Sequence, residues 1–457
     1  MFVYNKHMPR STLIKIFLAA LLVRVIYSLA APAIYYFNAD TEGYYNIGMA
    51  LFAHPSLQTL ITPYRTLVYP VFLNAVMYIL GVGGTPFGSP AFVWGAQFIV
   101  AIQMIIGALA FTALYQVLAR ILPKRTRQLF IVFLLFDVFI LGWERTLLTE
   151  GLAISVSLGM TAVLLHIILS PAGKKFALFW FLFVFGFLLR PSFIVYPIAS
   201  LPLVAWYFRK HARVVFWACV TLAAATAVPL IYARINYTRY NYFGIQFVGD
   251  IDVLGRILGF NIPVESAKSN TYFYTAVSDS RAGNAIAPTG FQFLNQYDPN
   301  IWGKAYRFVE LQAFNRTVIL HNLPLYVIKA MGTIPEILLE VCDFTLVPPT
   351  STQFLTRIVW VLQQGYGYAQ YATLAVPFLW ILMGIAFFVK PTRWHAITAL
   401  IGTIAMSQIV LTALVVYKDA GGQYGRVISV VRPQLFLFLL LCTVTLLRIY
   451  RKRRYKI

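Results

Sequence analysis

The stretch AFVWGAQFIVAIQMIIGALAFTALYQVLARILPKRTR, residues 91–127, decides the class of this chain. Residues 91–119 hold no Asp, Glu, Lys or Arg, and the run exceeds the ~20 residues that a helix needs to cross the hydrocarbon layer. It closes on Arg120, Lys124, Arg125 and Arg127. An uncharged run stopped by a knot of cations is how a membrane span meets a cytoplasmic loop. The pattern repeats in both directions along the chain. Of 457 residues, 60% are hydrophobic and only 11% charged, with a mean hydropathy of +0.73. Soluble domains carry about 25% charged residues, so this composition describes a membrane protein with many spans, not three soluble domains or a disordered chain. Cys219, Cys342 and Cys442 are far apart and form no CxxC, so they frame neither a disulfide network nor a zinc knuckle.

The net charge of +22 comes from 37 Lys+Arg against 15 Asp+Glu. In a soluble protein that excess would point to nucleic acid, but base readout needs cations gathered on one water-exposed domain. Here they sit in short clusters between apolar runs: Lys6/Arg10/Lys15, Arg120–Arg127, Lys174/Lys175, Arg209/Lys210/Arg213, Lys390/Arg393 and the tail from Arg448 to Lys456. No nucleic-acid partner is expected. The first apolar stretch resembles a signal peptide but lacks a small-residue cleavage site, and it reads as a retained helix. Spans are expected at 13–34, 91–119, 128–143, 147–168, 176–189, 191–208, 214–233, 370–389, 396–416 and 432–449. The expected fold is therefore an all-α polytopic bundle of about ten transmembrane helices (range 9–12), both termini cytoplasmic, in a membrane of the bacterial inner (plasma) membrane type. Counting residues 67–82 as a span would put Arg120–Arg127 outside. That piece, with its proline and asparagine, is expected to lie at the interface instead.

The chain then divides into an N-terminal membrane module (1–233, with a first outer loop at 35–90), an outer region with interfacial helices (234–369), and a C-terminal membrane segment with a basic cytoplasmic tail (370–457). None of the fifteen acidic residues falls in an expected cytoplasmic loop. Polar residues are thus concentrated on the outer face. That compartment holds no ATP or nucleotide sugars, so a lipid-carried activated group is the natural donor for chemistry there. Residues 234–320, rich in Asn, Tyr, Ser and Gly, show no helical periodicity over most of their length, although their aromatic residues argue for order.

Candidate chemistry begins in the first outer loop, Asn38-Ala-Asp40-Thr-Glu42-Gly-Tyr44-Tyr45-Asn46. Asp40 follows the first span closely and has two readings: a general base accepting a proton from an attacking hydroxyl, or a helix N-cap. Glu42 fits the first turn of that helix. Arg65, just before Tyr69-Pro70, either pairs with a lipid phosphate or snorkels to headgroups. Glu150 opens an apolar helix, where an ionisable group is functional by default, or it pairs with Arg24, Arg145 or Arg190 to hold the bundle. Asp137 carries the same two readings. Arg190-Pro191 and Arg426…Arg432-Pro433 place further guanidiniums at outer turns, where each needs a carboxylate or an anion. Asp250-Ile-Asp252 is formally a DxD, a weak signal in a long polar loop. The sequence has no P-loop, HExxH or paired Cys/His spacing. Sequons stand at Asn236-Tyr-Thr238 and Asn315-Arg-Thr317.

In order and spacing these segments resemble the GT-C class of membrane glycosyltransferases, nearest the group of protein O-mannosyltransferases and the bacterial aminoarabinose transferase of lipid A. The resemblance rests on Asp40 with Tyr44 and Tyr45, on Arg65 with Tyr69 and Pro70, on Glu150, on Arg190-Pro191, and on Arg426 leading to Arg432-Pro433. The Tyr-Pro stretch departs from the family's usual Pro-Gly-Tyr-Pro, reading Leu67-Val68-Tyr69-Pro70, and residues 234–369 match nothing in it. The resemblance implies an enzyme of the cell envelope in which an acceptor on a glycan, lipid or protein attacks the sugar of a polyprenyl-phosphate donor with inversion. It implies Asp40 as catalytic base and Arg65, Arg190 and Arg426 as phosphate ligands, with Glu42, Tyr44, Tyr45, Tyr69 and Glu150 completing the substrate site. It requires no cofactor, though some relatives use a divalent metal. A transporter or flippase for lipid-linked saccharides, and a polymerase or ligase with a pyrophosphate donor, are the rival readings. The first would be expected to show paired half-repeats, and none is visible.

Overall fold

The structure is a computed structural model describing residues 8–30, 38–56, 60–283, 289–340, 354–417 and 423–454. Cys342, Asp343, Asp419 and both chain ends lie outside these. Every regular element among the described residues is helical. Among the described residues seven stretches are long and apolar enough to cross a membrane, or eight if the bent pair Ala305–His321 and Leu323–Leu339 is one span: α1 (Arg10–Ala30), α4 (Pro90–Leu118), α7 (Thr149–Leu169), α10 (Ala212–Tyr240), α17–α18 (Phe354–Gln370 and Val376–Val389), α19 (Arg393–Val415), and α20–α21 (Gln423–Ile428 and Arg432–Arg454). The chain is an integral membrane protein.

The other three expected spans are built of shorter or broken helices. The expected span 128–143 is two short helices, α5 (Lys124–Leu135) and α6 (Val138–Trp143). Asp137 sits at the break and accepts the Phe139 N–H (3.1 Å) as an N-cap, an alternative to continuing the helix. The expected spans 176–189 and 191–208 become α8 (Gly173–Leu189, 17 residues) and a 3₁₀ turn running into α9 (Val195–Tyr207), both shorter than the long helices; α8 nonetheless runs back along α7, from Lys175 Nζ on the His166 carbonyl (3.2 Å) to Arg190 on Glu150 (2.8 Å). Residues 67–82 form α3 (Val68–Ile79), a 12-residue helix lying against α2 (Asn38–Ala53). Gly48 permits that approach: a Cβ there would stand 2.5 Å from the Pro70 carbonyl oxygen.

The bundle is centred on α7, nearly all of which is buried, packed against α4, α8 and α19. Two ion pairs tie it internally. Arg24 meets Glu144 with both groups buried (Nε–Oε2 2.6 Å, Nη2–Oε1 2.8 Å), and Arg432 meets Asp137 at 2.8 Å.

The region expected to lie outside corrects the expectation of little helical periodicity over 234–320. It is built of α11 (Phe247–Gly259), α12 (Thr271–Ala282), α13 (Gly290–Tyr297), α14 (Ala305–His321), α15 (Leu323–Gly332) and α16 (Ile334–Leu339). These pieces are short, and two are capped by side chains, Asn270 for α12 and Thr289 for α13. Phe247, Ile251, Leu254 and Leu258 still follow helical spacing and enter a separate core with Phe273, Phe293, Phe308 and Phe314. Phe247 stacks on Phe308 with centroids 4.2 Å apart. After α14 the chain bends by 93° into α15 and α16.

Candidate active site

Five charged side chains from five separate segments meet in one alternating chain. Asp40 is in the first turn of α2, and Thr41 beside it donates to the Leu147 carbonyl (3.2 Å), fixing this helix end against the start of α7. The Asp40 carboxylate takes Arg426 Nη1 on Oδ2 at 2.8 Å and pairs with Arg65 through Oδ1. Arg426 in turn pairs through Nε with Glu150, which also receives Arg190 Nη1 at 2.8 Å. Three guanidiniums against two carboxylates leave the group with net positive charge, suited to an anion.

Local sequence explains each placement. Pro191 disfavours helical geometry in the residue before it. Arg190 accordingly ends α8 in an extended conformation (φ −148°, ψ 122°), with its guanidinium on Glu150. Glu150 lies in the first turn of α7, where a carboxylate is favoured by the helix dipole. Asp40 and Tyr44 are four apart on α2 and so share a face. Tyr44 lies under Arg65 (Cζ to ring centroid 5.2 Å) and meets Tyr69 edge-on (5.1 Å). The Tyr69 hydroxyl donates to Gln103 Oε1 (3.3 Å), and Gln103 Nε2 donates to the carbonyls of Glu144 and Thr146 at 3.0 Å each.

The two carboxylates are not equivalent. Glu150 is wholly buried, whereas the Asp40 side chain keeps 24% of its surface open. Burial pushes the Asp40 carboxyl upward, but the Arg426 and Arg65 guanidiniums outweigh it and hold it at about 2. Burial also raises the Tyr44 hydroxyl. Asp40 is therefore the more accessible carboxylate and is ionised at neutral pH.

The structure thus brings Asp40, Tyr44, Arg65, Tyr69, Glu150, Arg190 and Arg426 together. It places two other candidates elsewhere. Glu42 is exposed and joins none of these pairs. Tyr45 is buried on a different side of α2, donating to the Thr85 carbonyl (2.7 Å) and packing on Phe92. Gln103 was missed by sequence reasoning, although a glutamine deep in an apolar helix is itself a signal for a buried polar contact. Of the DxD pair, Asp250 accepts the Tyr242 hydroxyl (2.6 Å). Among the described residues no three His, Cys, Asp or Glu side chains gather in a metal-binding group. Both sequon asparagines are buried: Asn236 Nδ2 donates to the Gly244 carbonyl (2.8 Å) and Asn315 Nδ2 to the Asp250 carbonyl (2.7 Å).

No protein-family model and no curated protein matches the sequence. Among solved structures, the archaeal oligosaccharyltransferase AglB from Archaeoglobus fulgidus, in complex with an inhibitory peptide and a dolichol-phosphate, aligns with 98% of this chain at 12% identity and a TM-score of 0.49. The alignment covers 52% of that chain, so this protein spans about half its length.

Proposed function

We propose that this protein is an inverting glycosyltransferase that moves a single sugar from a polyprenyl-phosphate donor to a hydroxyl or amine of a glycan, lipid or protein acceptor on the outer face of the membrane. The observation that carries this reading is the partly open Asp40 carboxylate held between the guanidiniums of Arg65 and Arg426, with Arg190 one carboxylate further on. In the reaction the acceptor oxygen or nitrogen forms its bond to the anomeric carbon as the bond from that carbon to the phosphate oxygen breaks. The electron pair leaves on the phosphate, and the acceptor's proton goes to Asp40. Guanidiniums that tighten on the departing phosphate as its charge grows lower the barrier.

The cluster's own electrostatics support coupling between donor binding and base strength. A carboxylate held at about 2 is a weak base while both guanidiniums rest on it. A donor phosphate competes for the same N–H groups, since planar guanidiniums bind phosphate and carboxylate alike. Drawing Arg65 and Arg426 toward the phosphate leaves Asp40 more basic when the acceptor is in place. No residue here requires a cofactor for this step, and a divalent ion is compatible with it.

The test is Asp40→Asn, assayed with a radiolabelled polyprenyl-phosphate sugar in membranes or nanodiscs. Asparagine keeps the shape but cannot take the proton. Transfer is expected to fall by about 10² to 10⁴, the range for losing a general base, with expression retained and the thermal unfolding temperature lowered by the loss of the ion pairs to Arg65 and Arg426. Wild-type transfer in this variant refutes the assignment.

A further inference from the structure

Arg426 lies on a helix of only six residues, α20, whose orientation decides whether the guanidinium reaches between Asp40 and Glu150. Its leading residues are held by a side chain far away in sequence. Glu340, immediately after α16, accepts the Tyr424 N–H (2.9 Å) and the Gly425 N–H (3.3 Å) on one carboxylate oxygen. Helix-start N–H groups have no partner within their own helix, and a carboxylate satisfies them with charge-assisted bonds. Glu340 is itself fixed through its backbone: Gln370 Nε2 donates to the carbonyls of Leu338 (2.9 Å) and Glu340 (3.2 Å).

A second side chain supports the same helix. Arg256, from α11, is fully buried, with its Cζ 5.1 Å from the Tyr424 ring centroid. It donates to the Thr412 carbonyl (3.2 Å) and to Thr333 Oγ1 (3.4 Å). The other guanidinium on Asp40 is secured from the same region. Arg65 belongs to a segment stitched to the outer region by Phe247 N–H to the Pro63 carbonyl (2.8 Å) and by the Tyr64 hydroxyl to the Trp302 carbonyl (3.0 Å).

We infer that Glu340 is a positioning residue for Arg426, and that the outer region acts as a clamp aligning the anion-binding guanidiniums around Asp40. The inference deepens the glycosyl-transfer reading and rests on it for the reaction, but its contact and its effect on anion affinity are measured without turnover.

The experiment uses the full-length protein in lipid nanodiscs. It compares wild type with Glu340→Ala and Glu340→Gln by amide hydrogen exchange and by affinity for undecaprenyl phosphate. Removing a cap of this kind is worth about a tenfold change in an equilibrium. Glu340→Ala is expected to speed exchange over residues 423–428 by about that factor and to weaken lipid-phosphate affinity similarly. Exchange in α7 should stay unchanged. Glu340→Gln keeps an oxygen for the two N–H groups and should recover most of both losses. If Glu340→Ala does not fold, Glu340→Asp, which withdraws the carboxylate by one methylene, takes its place in the comparison. Unchanged exchange over 423–428 overturns the contact. Faster exchange with unchanged affinity overturns the link to Arg426. Clean binding results with no sugar transfer in wild type count against the glycosyltransferase reading and leave the clamp standing.

Discussion

Asp40 shows how far single residues can be read from a sequence. Its place just after a span, and the recurrence of arginines at the ends of apolar runs, are visible in the letters alone. Its partners are not, because they come from segments up to 386 positions away. For Glu150 the sequence left Arg24, Arg145 and Arg190 as candidate partners. The structure pairs it with Arg190 and Arg426, while Arg24 goes to Glu144. Position on a helix explains the two outlying candidates. Successive residues are rotated by ~100°, so Tyr44 shares the face of Asp40 while Glu42 and Tyr45 turn away from it. The low value at Asp40 fixes a pH dependence. Its folded pKa of about 2 lies below the ordinary 3.8, so its ion pairs are fully stabilising above about pH 4 and are lost as pH falls toward 2. The kcat/KM profile reports free-enzyme groups, and Asp40 should therefore contribute no acid limb above about pH 4. An acid limb near pH 6 that disappears in Asp40→Asn would contradict this.

At the scale of elements, the sequence reveals where apolar runs lie but not where they break. The boundary at Asp137 is the clearest instance: one charged residue ends α5, caps α6 and anchors the last long helix through Arg432. Nothing in the run from 128 to 143 distinguishes a tolerated aspartate from one that splits the helix. The difference lies in the partner some 295 positions later. Because both groups are buried, removing one leaves the other charge uncompensated, which costs about 3–5 kcal/mol. Asp137→Ala should lower the denaturation midpoint in detergent accordingly. Asp137→Ala combined with Arg432→Met should restore most of it, since replacing a whole buried pair with apolar groups is far milder than breaking one. Equal losses in the single and double variants would show that the pair itself does not hold these helices.

Across the whole molecule, composition was enough to establish a many-span helical membrane protein. The organisation of residues 241–340 was not legible, because the helices there are short and their apolar faces close partly on one another and partly on α19, far along the chain. That region has its own titration. Burial pushes Asp250 up to about 6, with the Tyr242 hydroxyl bond only partly opposing it. A folded pKa above the ordinary 3.8 means that protonation favours the folded form. The outer region should gain stability as pH falls from about 6 to about 4 and lose it again as pH rises through 6. Limited proteolysis of residues 241–340 at pH 4.5 and 6.5 in wild type and Asp250→Asn checks this. Asparagine mimics the neutral carboxyl, so the variant should show little difference between the two pH values.

The inward-facing amides of Asn236 and Asn315 carry a consequence for producing this protein in a host that decorates such triplets. Each nitrogen is spent on a main-chain oxygen inside the finished structure, out of reach of any modifying enzyme. A sugar tree on either position would have to be attached to the nascent chain before that half of the protein closed. Its presence would mark the fraction of a preparation that never reached maturity, and a lectin column would remove that fraction.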